Sequence, residues 1–366
     1  MKIGILGTRG IPARYGGFET FAEEIAIRLV EEGHEVTVYC ELHEDTEVIE
    51  EYKGIKLVYL TAPDLGMLST IWFDGKCLWH ARSKFDIVYM LGYGASVFCF
   101  IPRLFGTPVW VNMDGIEWAR AKYSKIGKAW WKIQEFFAMF MSSRIICDAR
   151  GVYDVIRQRQ PYVPKYSIIE YGAPLIDDSI TTSILEEYGI KENEYYLIVC
   201  RLEPENNVIE MLEGFAASNS RYPLIVLGNI NMDTPYVEQL RQIRDPKIVF
   251  AGTLYDQEKL QHLRRASLAY FHGHSVGGTN PSLIEALGCG NVVVAHDNRF
   301  NREVAAESAF YFEDHQQIPS IVDTIENDPN INLQEYKDGA RRRIEENYTW
   351  EIITDKYLKL IDEYKK

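Results

Sequence analysis

Lys2-Ile-Gly-Ile-Leu6, followed by the glycine-rich segment Gly7-Thr-Arg-Gly-Ile-Pro-Ala-Arg-Tyr-Gly-Gly17, decides the fold. The first five residues form a short apolar run that is typical of a buried parallel strand. Phe18–Glu32 then carries apolar residues at helical spacing and stops at Gly33, and His34–Cys40 has the pattern of a second strand. The order of strand, glycine turn, helix and strand predicts the start of a doubly wound α/β sheet.

The same pattern recurs along the chain and predicts two Rossmann-like domains. In the first half we predict strands at 56–60, 86–90, 108–112 and 144–147, and in the second half at 196–200, 224–227, 248–251, 268–271 and 292–295. Helices are predicted at 208–217, 257–266 and 281–288. We expect one domain over residues 1–173 and another over 174–349, facing a cleft, with a C-terminal helix at 350–366 returning to the first domain.

Composition narrows the classes of function. The chain of 366 residues has a formal net charge of -14, which disfavours a protein that coats nucleic acid, because neutralising phosphates needs a basic face. The six cysteines are scattered without a C-x-x-C pair, as expected for reduced thiols in the cytoplasm rather than for a structural zinc site. No stretch has the length of a signal peptide or membrane span, so we expect a cytoplasmic protein.

The segment Gly7–Thr20 is a candidate anion site, because it joins a strand to the free N–H groups at the start of a helix. It matches neither G-x-G-x-x-G nor G-x-x-x-x-G-K-[ST], which disfavours a nicotinamide enzyme and a P-loop NTPase. The alternative is a turn that only reverses the chain. A second candidate is Arg201 at the end of a strand, where a guanidinium can hold a diphosphate. Its alternative is a surface ion pair with Glu203 or Glu205.

A third candidate runs from His272 into the helix at 281–288. Backbone donors at 278–282 are placed to surround a phosphate, and Glu285 lies one turn into the helix, within reach of a ribose hydroxyl. His272 and His274 suggest a metal, but no third ligand is visible, so strand-end histidines with a structural role are the favoured alternative.

In the first domain, acidic and phenolic side chains follow predicted strands. Asp114, Asp148 and Tyr171 are candidates to activate or orient an acceptor hydroxyl. Helix capping or turn hydrogen bonding is the alternative for each.

The stretch 120–144 places lysines among aromatic residues, an exception in so acidic a chain. Helices of this composition lie on anionic membrane surfaces with their rings at the headgroup level. The alternative is a core helix with a solvated lysine face.

Four motifs in this order resemble family 4 glycosyltransferases of the GT-B fold: the glycine-rich first turn, Arg201-Leu-Glu-Pro-Glu-Asn206, Val249-Phe-Ala-Gly-Thr-Leu254 and Asn280-Pro-Ser-Leu-Ile-Glu-Ala-Leu287. The long segments Gly7–Thr20 and His272–Ser282 are similar to the bacterial rhamnosyltransferase subgroup of the DUF1972 type. The resemblance spans nearly the whole chain.

This resemblance implies roles for named residues. The catalytic set would be Asp148, Tyr171, Asp114 and Arg201, and Glu117 and Arg120 would contact the acceptor. The donor would be bound by Gly16, Gly17, Arg201, Asn206, Asn207, Gly228, Leu254, His274, Gly278, Thr279, Asn280, Pro281, Ser282 and Glu285. The chain departs from the wider family at Asn206, where a lysine is usual, and at Gly277, where a glutamate is usual; the subgroup shares both changes.

The resemblance further implies a retaining glycosyltransferase that needs no metal or other cofactor. We expect it to move L-rhamnose from dTDP-rhamnose to a lipid-diphosphate-linked sugar in surface polysaccharide synthesis, with 120–144 on the inner face of the membrane. The same reaction with a UDP- or GDP-sugar is one alternative, and a GT-B epimerase acting without an acceptor is another. A third is a non-catalytic, membrane-associated scaffold.

Overall fold

The computed structural model describes residues 1–13, 16–44, 46–64, 66–176 and 183–365. Arg14 and Tyr15 of the glycine-rich segment lie outside the described residues. The chain divides into two compact units. Unit 1 contains Met1–Ala119, Tyr123–Tyr171 and Trp350–Lys366, and unit 2 contains Arg120–Lys122 and Gly172–Thr349.

Unit 1 is built around a parallel sheet with one short antiparallel edge. Its elements in order are β1 (Lys2–Leu6), α1 (Gly17–Glu31), β2 (Glu35–Glu41), β3 (Glu51–Tyr52), β4 (Ile55–Leu60), α2 (Met67–Ala81), β5 (Ile87–Met90), α3 (Phe100–Leu104), β6 (Val109–Met113), α4 (Lys125–Met141), β7 (Arg144–Cys147), α5 (Arg150–Arg159) and β8 (Lys165–Ile168). The strand order is β3-β4-β2-β1-β5-β6-β7-β8. The central strands are almost wholly buried, which explains their continuous apolar runs.

Unit 2 repeats this plan with a fully parallel sheet. Its elements are α6 (Ser183–Tyr188), β9 (Tyr196–Val199), α7 (Val208–Ala217), β10 (Leu224–Leu227), α8 (Pro235–Gln242), β11 (Ile248–Gly252), α9 (Gln257–Ala266), β12 (Ala269–His272), α10 (Pro281–Gly288), β13 (Val293–His296), α11 (Arg299–Ala305), β14 (Ala309–Phe312), α12 (Ile318–Asn327) and α13 (Leu333–Asn347). The strand order is β11-β10-β9-β12-β13-β14. The core on one face of this sheet joins Tyr196, Phe215 and Phe271, whose rings pack edge to face.

The last helix, α14 (Trp350–Lys365), belongs to unit 1, which confirms the predicted return of the C-terminal helix. The hydroxyl of Tyr357 lies 2.7 Å from that of Tyr89, and both side chains are buried. Trp350 and Tyr357 pack against Phe21 of α1. An apolar face of α14 therefore completes the core of unit 1.

The prediction of two Rossmann-like domains is confirmed, and the differences lie at the sheet margins. Three edge strands were not predicted: β3, β8 and β14. β3 has only two residues, and β8 has exposed side chains. Residues 174–194, for which no helix or strand was predicted, contain α6. Across the described ranges, no helix combines the length and hydropathy needed to cross a membrane.

Candidate active site

The candidate site in unit 2 lies where the strand order of the sheet reverses. β9 has β10 on one side and β12 on the other. The loops that leave β9 and β12, residues 200–207 and 273–280, therefore start from neighbouring strands at the same sheet edge. Open α/β sheets bind ligands at this position, beyond the carboxyl ends of the strands.

A cluster of charges occupies the loop after β9. The side chain of Arg201 is about half exposed, and its Nη2 lies 3.8 Å from Oε2 of Glu203. Lys122, which belongs to unit 2, places its Nζ 3.3 Å from both carboxylate oxygens of Glu203. Burial raises the pKa of Glu203, but the neighbouring cations, Arg201 foremost, outweigh burial and lower it. Two cations thus share one carboxylate.

Glu205 is the buried member of this charge cluster. Neither of its carboxylate oxygens accepts a hydrogen bond, and Nζ of Lys122 is 4.0 Å from Oε1. Burial, together with the charge of Glu203, raises the pKa of Glu205. Lys122 therefore lies beside both carboxylates of the cluster, and together with Arg201 it supplies the positive charge that faces them.

Hydrogen bonds join the two loops. The side-chain Nδ2 of Asn206 donates to the backbone carbonyl of Arg201 at 2.7 Å, and Oδ1 of Asn206 is 2.7 Å from Nδ1 of His274. The side-chain Nδ2 of Asn207 donates to the backbone carbonyl of Gly273 at 2.7 Å. A Cβ at Gly273 would lie 2.1 Å from the Asn206 carbonyl oxygen, so only glycine permits this approach.

His272 and His274 are both buried, and burial is the main cause that lowers the pKa of each imidazole. The pKa of His272 falls to about 3. Both rings are therefore neutral at pH 7. Among the residues that the structure describes, His, Cys, Asp and Glu side chains form no group of three or more that could hold a metal ion.

Hydrogen bonds fix the start of α10. Asn280 caps the helix, and its Oδ1 accepts from the amide of Ser282 at 3.0 Å. The Ser282 hydroxyl donates to the carbonyl of Val199 at 3.0 Å. Both donors of Ser282 are therefore engaged within unit 2, and its contact with a donor phosphate stays a prediction. Gly278 and Thr279 are buried just before the helix, and Pro281 is its first residue.

Glu285 projects from α10 toward a buried guanidinium. Its Oε2 lies 2.7 Å from Nη2 of Arg264, a residue of α9 that is 1% exposed, whereas the Glu285 side chain remains 24% exposed. Nε and Nη1 of Arg264 are buried and donate no hydrogen bond to the residues that the structure describes. The buried Arg264 therefore holds the carboxylate of Glu285 in place, while part of the Glu285 side chain remains exposed to solvent.

The remaining predicted donor residues lie in two places. In unit 2, the amide of Gly228 donates to the carbonyl of Gly252 at 2.8 Å, and Leu254 is half-buried two residues further along. In unit 1, Gly16 precedes α1 with a φ of 106°, and Gly17 is the exposed first residue of the helix. A Cβ at Gly16 would lie 2.1 Å from a Glu19 carboxylate oxygen, so Glu19 itself occupies this turn.

Asp114, Asp148 and Tyr171 come together in unit 1, at the carboxyl ends of β6, β7 and β8. Asp148 and Tyr171 are buried, and Asp114 is half-buried. Burial, and then the two carboxylates, raises the pKa of Tyr171 well above its ordinary value. The Tyr171 phenol therefore stays protonated at pH 7. Of these three residues, Asp114 is the most exposed to solvent.

The two predicted acceptor residues lie in different units. Glu117 is buried in unit 1, where its carboxylate accepts from the hydroxyl of Tyr123 at 3.1 Å. Arg120 belongs to unit 2, and its charge helps to lower the pKa of Glu203 and His274. Arg120 therefore contributes to the charge cluster after β9.

Sequence reasoning missed Lys122 and Arg264 as parts of the site. In the sequence, Lys122 is one of several lysines in the stretch 120–144, whereas in the structure it contacts a carboxylate 81 residues away. Arg264 lies in an ordinary amphipathic helix pattern. A buried arginine facing the next helix leaves no local signal in the sequence.

The two halves of the chain match two family models. Residues 1–174 match a domain of unknown function, DUF1972, and residues 181–347 match the glycosyl transferases group 1 model. A comparison with curated protein sequences finds no match.

Several solved structures share the fold over the full chain. Sucrose-phosphate synthase from Thermosynechococcus elongatus is 15% identical, with a TM-score of 0.85 over 99% of this chain and 98% of that one. HepE from Anabaena, solved in complex with UDP-glucose, is 18% identical, with a TM-score of 0.80 over 99% and 100%. A UDP-forming α,α-trehalose-phosphate synthase from Burkholderia vietnamiensis is 10% identical, with a TM-score of 0.74 over 99% of both chains. Residues 1–174 therefore form a DUF1972 domain and residues 181–347 a glycosyl transferases group 1 domain, and together they make a glycosyltransferase on the GT-B fold.

Proposed function

We propose that this enzyme moves a sugar from a nucleotide-diphosphate donor to a lipid-diphosphate-linked acceptor, with retention of configuration. The observation that carries the donor assignment is the pair of cations, Arg201 and Lys122, that share Glu203 at the reversal point of the unit 2 sheet. A diphosphate is the ligand class that such a pair recognises, because each cation can replace Glu203 by a phosphate oxygen.

The chemistry proposed for this site is electrostatic. As the bond between sugar and diphosphate breaks, negative charge grows on the leaving oxygen, and fixed cations stabilise it without reorganisation. Arg201 and Lys122 supply this charge, and the start of α10 adds the positive end of a helix dipole. We propose that the carboxylate of Glu285, held by Arg264, accepts a hydrogen bond from a ribose hydroxyl of the donor. No residue in this scheme requires a metal ion.

The proposed donor is dTDP-rhamnose. Its support is the resemblance of the segments around Gly16 and Gly278 to rhamnosyltransferases, together with the surroundings of Gly277. A Cβ at Gly277 would lie 2.9 Å from Nε2 of His274, and its φ of 142° disfavours any side chain. This turn therefore carries no carboxylate, and a 6-deoxy sugar has fewer hydroxyls to satisfy. The second candidate is a UDP-sugar, which the UDP-glucose complex of HepE favours.

The proposed acceptor is a lipid-linked sugar at the inner face of the membrane, as an early step in a surface polysaccharide. Its support is α4, where Lys125, Lys128 and Lys132 alternate with aromatic side chains. Asp114, next to Asp148 in unit 1, is the proposed group that orients the acceptor hydroxyl. In the scaffold alternative, the same helix would bind membrane without any transfer.

The test is mass spectrometry of products formed from dTDP-rhamnose, UDP-glucose or UDP-N-acetylglucosamine, each offered with a synthetic lipid-diphosphate N-acetylglucosamine and its glucose analogue. We expect a mass gain of one deoxyhexose with the wild type, and its formation about 10²–10³-fold more slowly with Arg201→Ala. Transfer from a UDP-sugar alone would overturn the donor assignment. Absence of both transfer and nucleotide-sugar binding would favour the scaffold.

A further inference from the structure

Large apolar side chains are exposed together on three helices of unit 1. On α2, α3 and the residue that follows α3 they are Leu68, Trp72, Trp79, Phe100, Leu104 and Phe105, and on α4 and the loop after α5 they are Ile126, Ile133, Phe136, Phe140 and Tyr162. The exposed fraction reaches 58% for Trp72, 75% for Leu104 and 84% for Ile126. We call these eleven residues the apolar surface. Exposed apolar residues concentrated in this way mark an interaction site.

Arginines connect the apolar surface across its helices. The guanidinium of Arg82, just after α2, lies 4.4 Å from the ring centroid of Trp79 and 5.4 Å from that of Phe105. Nη1 of Arg103 in α3 donates to the carbonyl of Phe140 in α4 at 2.8 Å. The contribution of α2 therefore adjoins that of α3, and α3 adjoins α4.

The opposite side of α4 is fixed in unit 1. Gln134 and Ala138 are buried, and the indole N–H of Trp130 donates to the carbonyl of Gly94 at 3.3 Å. Ile126, Ile133 and Phe140 repeat every seven residues, so they lie along the outward side of the helix. The exposed rings thus belong to a helix that is already packed, and folding alone does not cover them.

The charge on these three helices has one sign at the surface. α2, α3 and α4 contain two carboxylates, Asp74 and Glu135, and both are buried. Arg103 and Lys125 are exposed beside the rings. In a chain of net charge -14, a surface with aromatic rings, exposed cations and no exposed carboxylate on its three helices complements an anionic partner with an apolar interior.

We propose that the apolar surface, spanning α2, α3 and α4 rather than α4 alone, docks unit 1 on an anionic lipid bilayer. Trp72, Trp79 and Leu104 insert at the headgroup boundary, while Arg103 and Lys125 contact lipid phosphates. The inference rests on the proposed function in one respect: the lipid-linked acceptor is the reason that the enzyme would need to bind a membrane.

The test is co-sedimentation of the full chain with vesicles of phosphatidylcholine containing phosphatidylglycerol, and with vesicles of phosphatidylcholine alone. We expect binding to the anionic vesicles that weakens as salt is raised. Removing two inserted side chains in Trp72→Ser/Leu104→Ser should weaken it by about tenfold or more. The matched control, Val48→Ser/Tyr255→Ser, removes two exposed apolar side chains elsewhere and should bind like the wild type.

Other results would overturn the inference. Equal binding of Trp72→Ser/Leu104→Ser and wild type would remove α2 and α3 from the docking surface. Equal binding to both vesicle types would remove the charge argument. Concentration-dependent self-association in sedimentation velocity, lost in the same double variant, would assign the surface to a second copy of the chain. Transfer to a short-chain, water-soluble acceptor analogue should persist in the double variant, so failure of the proposed reaction and failure of docking give different results.

Discussion

Nδ1 of His274 lies 2.7 Å from Oδ1 of Asn206, and this buried contact joins the two loops that form the candidate donor site. Because the Asn206 amide nitrogen donates to the carbonyl of Arg201, its oxygen is the group that accepts from the imidazole. The resemblance to family 4 glycosyltransferases implies a lysine at the position of Asn206. Here the position holds the site loops together, and Lys122 provides a cation nearby.

Replacing Asn206 should loosen both loops. In Asn206→Ala the imidazole N–H of His274 and the carbonyl of Arg201 lose their partner, and a buried unsatisfied group costs about 1–3 kcal/mol. We expect a loss of stability of this size in urea denaturation and weaker donor binding in calorimetry. Asn327→Ala is the matched control, because Asn327 is exposed and its side-chain amide donates to Asp323 four residues away. Unchanged donor affinity in Asn206→Ala would contradict the assigned role.

Arg201 should matter for turnover and hardly for folding, because its side chain is about half exposed. Loss of a preorganised charge at the leaving group costs about 10²–10³-fold in kcat. We expect this loss in Arg201→Ala, a smaller one in Lys122→Ala, and wild-type melting temperatures for both. Arg302→Ala, which removes an exposed arginine paired with Asp297, serves as control. Near-normal kcat in Arg201→Ala would remove the arginine from the mechanism.

The ion pair between Arg264 and Glu285 should respond asymmetrically to mutation. Glu285→Gln leaves a fully buried guanidinium without its counter-charge, which costs about 3 kcal/mol. Arg264→Met should cost less, because a methionine fits an apolar site and the freed carboxylate still reaches water. Urea denaturation measures both, with Lys259→Met in the exposed pair with Glu187 as control. Equal losses in the two variants would argue that burial of the arginine is not the cause.

The neutral, buried histidines predict acid sensitivity. The pKa of His272 is lowered by burial from 6.5 to about 3, so between these values the unfolded chain binds a proton that the folded chain does not. Stability is therefore fully present above pH 6.5 and is lost as the pH falls toward 3, by about 2 kcal/mol at pH 5 for this residue alone. His274 shifts in the same direction.

Thermal melts between pH 8 and pH 5 measure this dependence. His272→Leu should flatten the profile, whereas His43→Ala should leave it unchanged, because the side chain of His43 is 68% exposed. A profile for His272→Leu as steep as that of the wild type would show that other groups cause the acid sensitivity.

Much of the fold could be read from local patterns. α7, α9 and α10 begin and end where the sequence predicts, since apolar spacing marks the buried side and Asp256 and Asn280 cap two of them. Strands with continuous apolar runs, such as β1 and β10, were found equally well. β8 was missed because it lies at an edge, with two exposed residues among its four.

The sequence by itself determined two doubly wound sheets and the position of Arg201, because a buried strand followed by a polar loop is a local pattern with a known place in such a sheet. Only the tertiary structure decided that Lys122 joins Glu203, that Arg264 holds Glu285 and that Ser282 is already engaged. These pairings depend on which loops and helices the strand order brings together, and on burial, which sets the cost of leaving a charge or a hydrogen bond unpaired. Neither the strand order nor the burial of a side chain can be read from a single stretch of sequence.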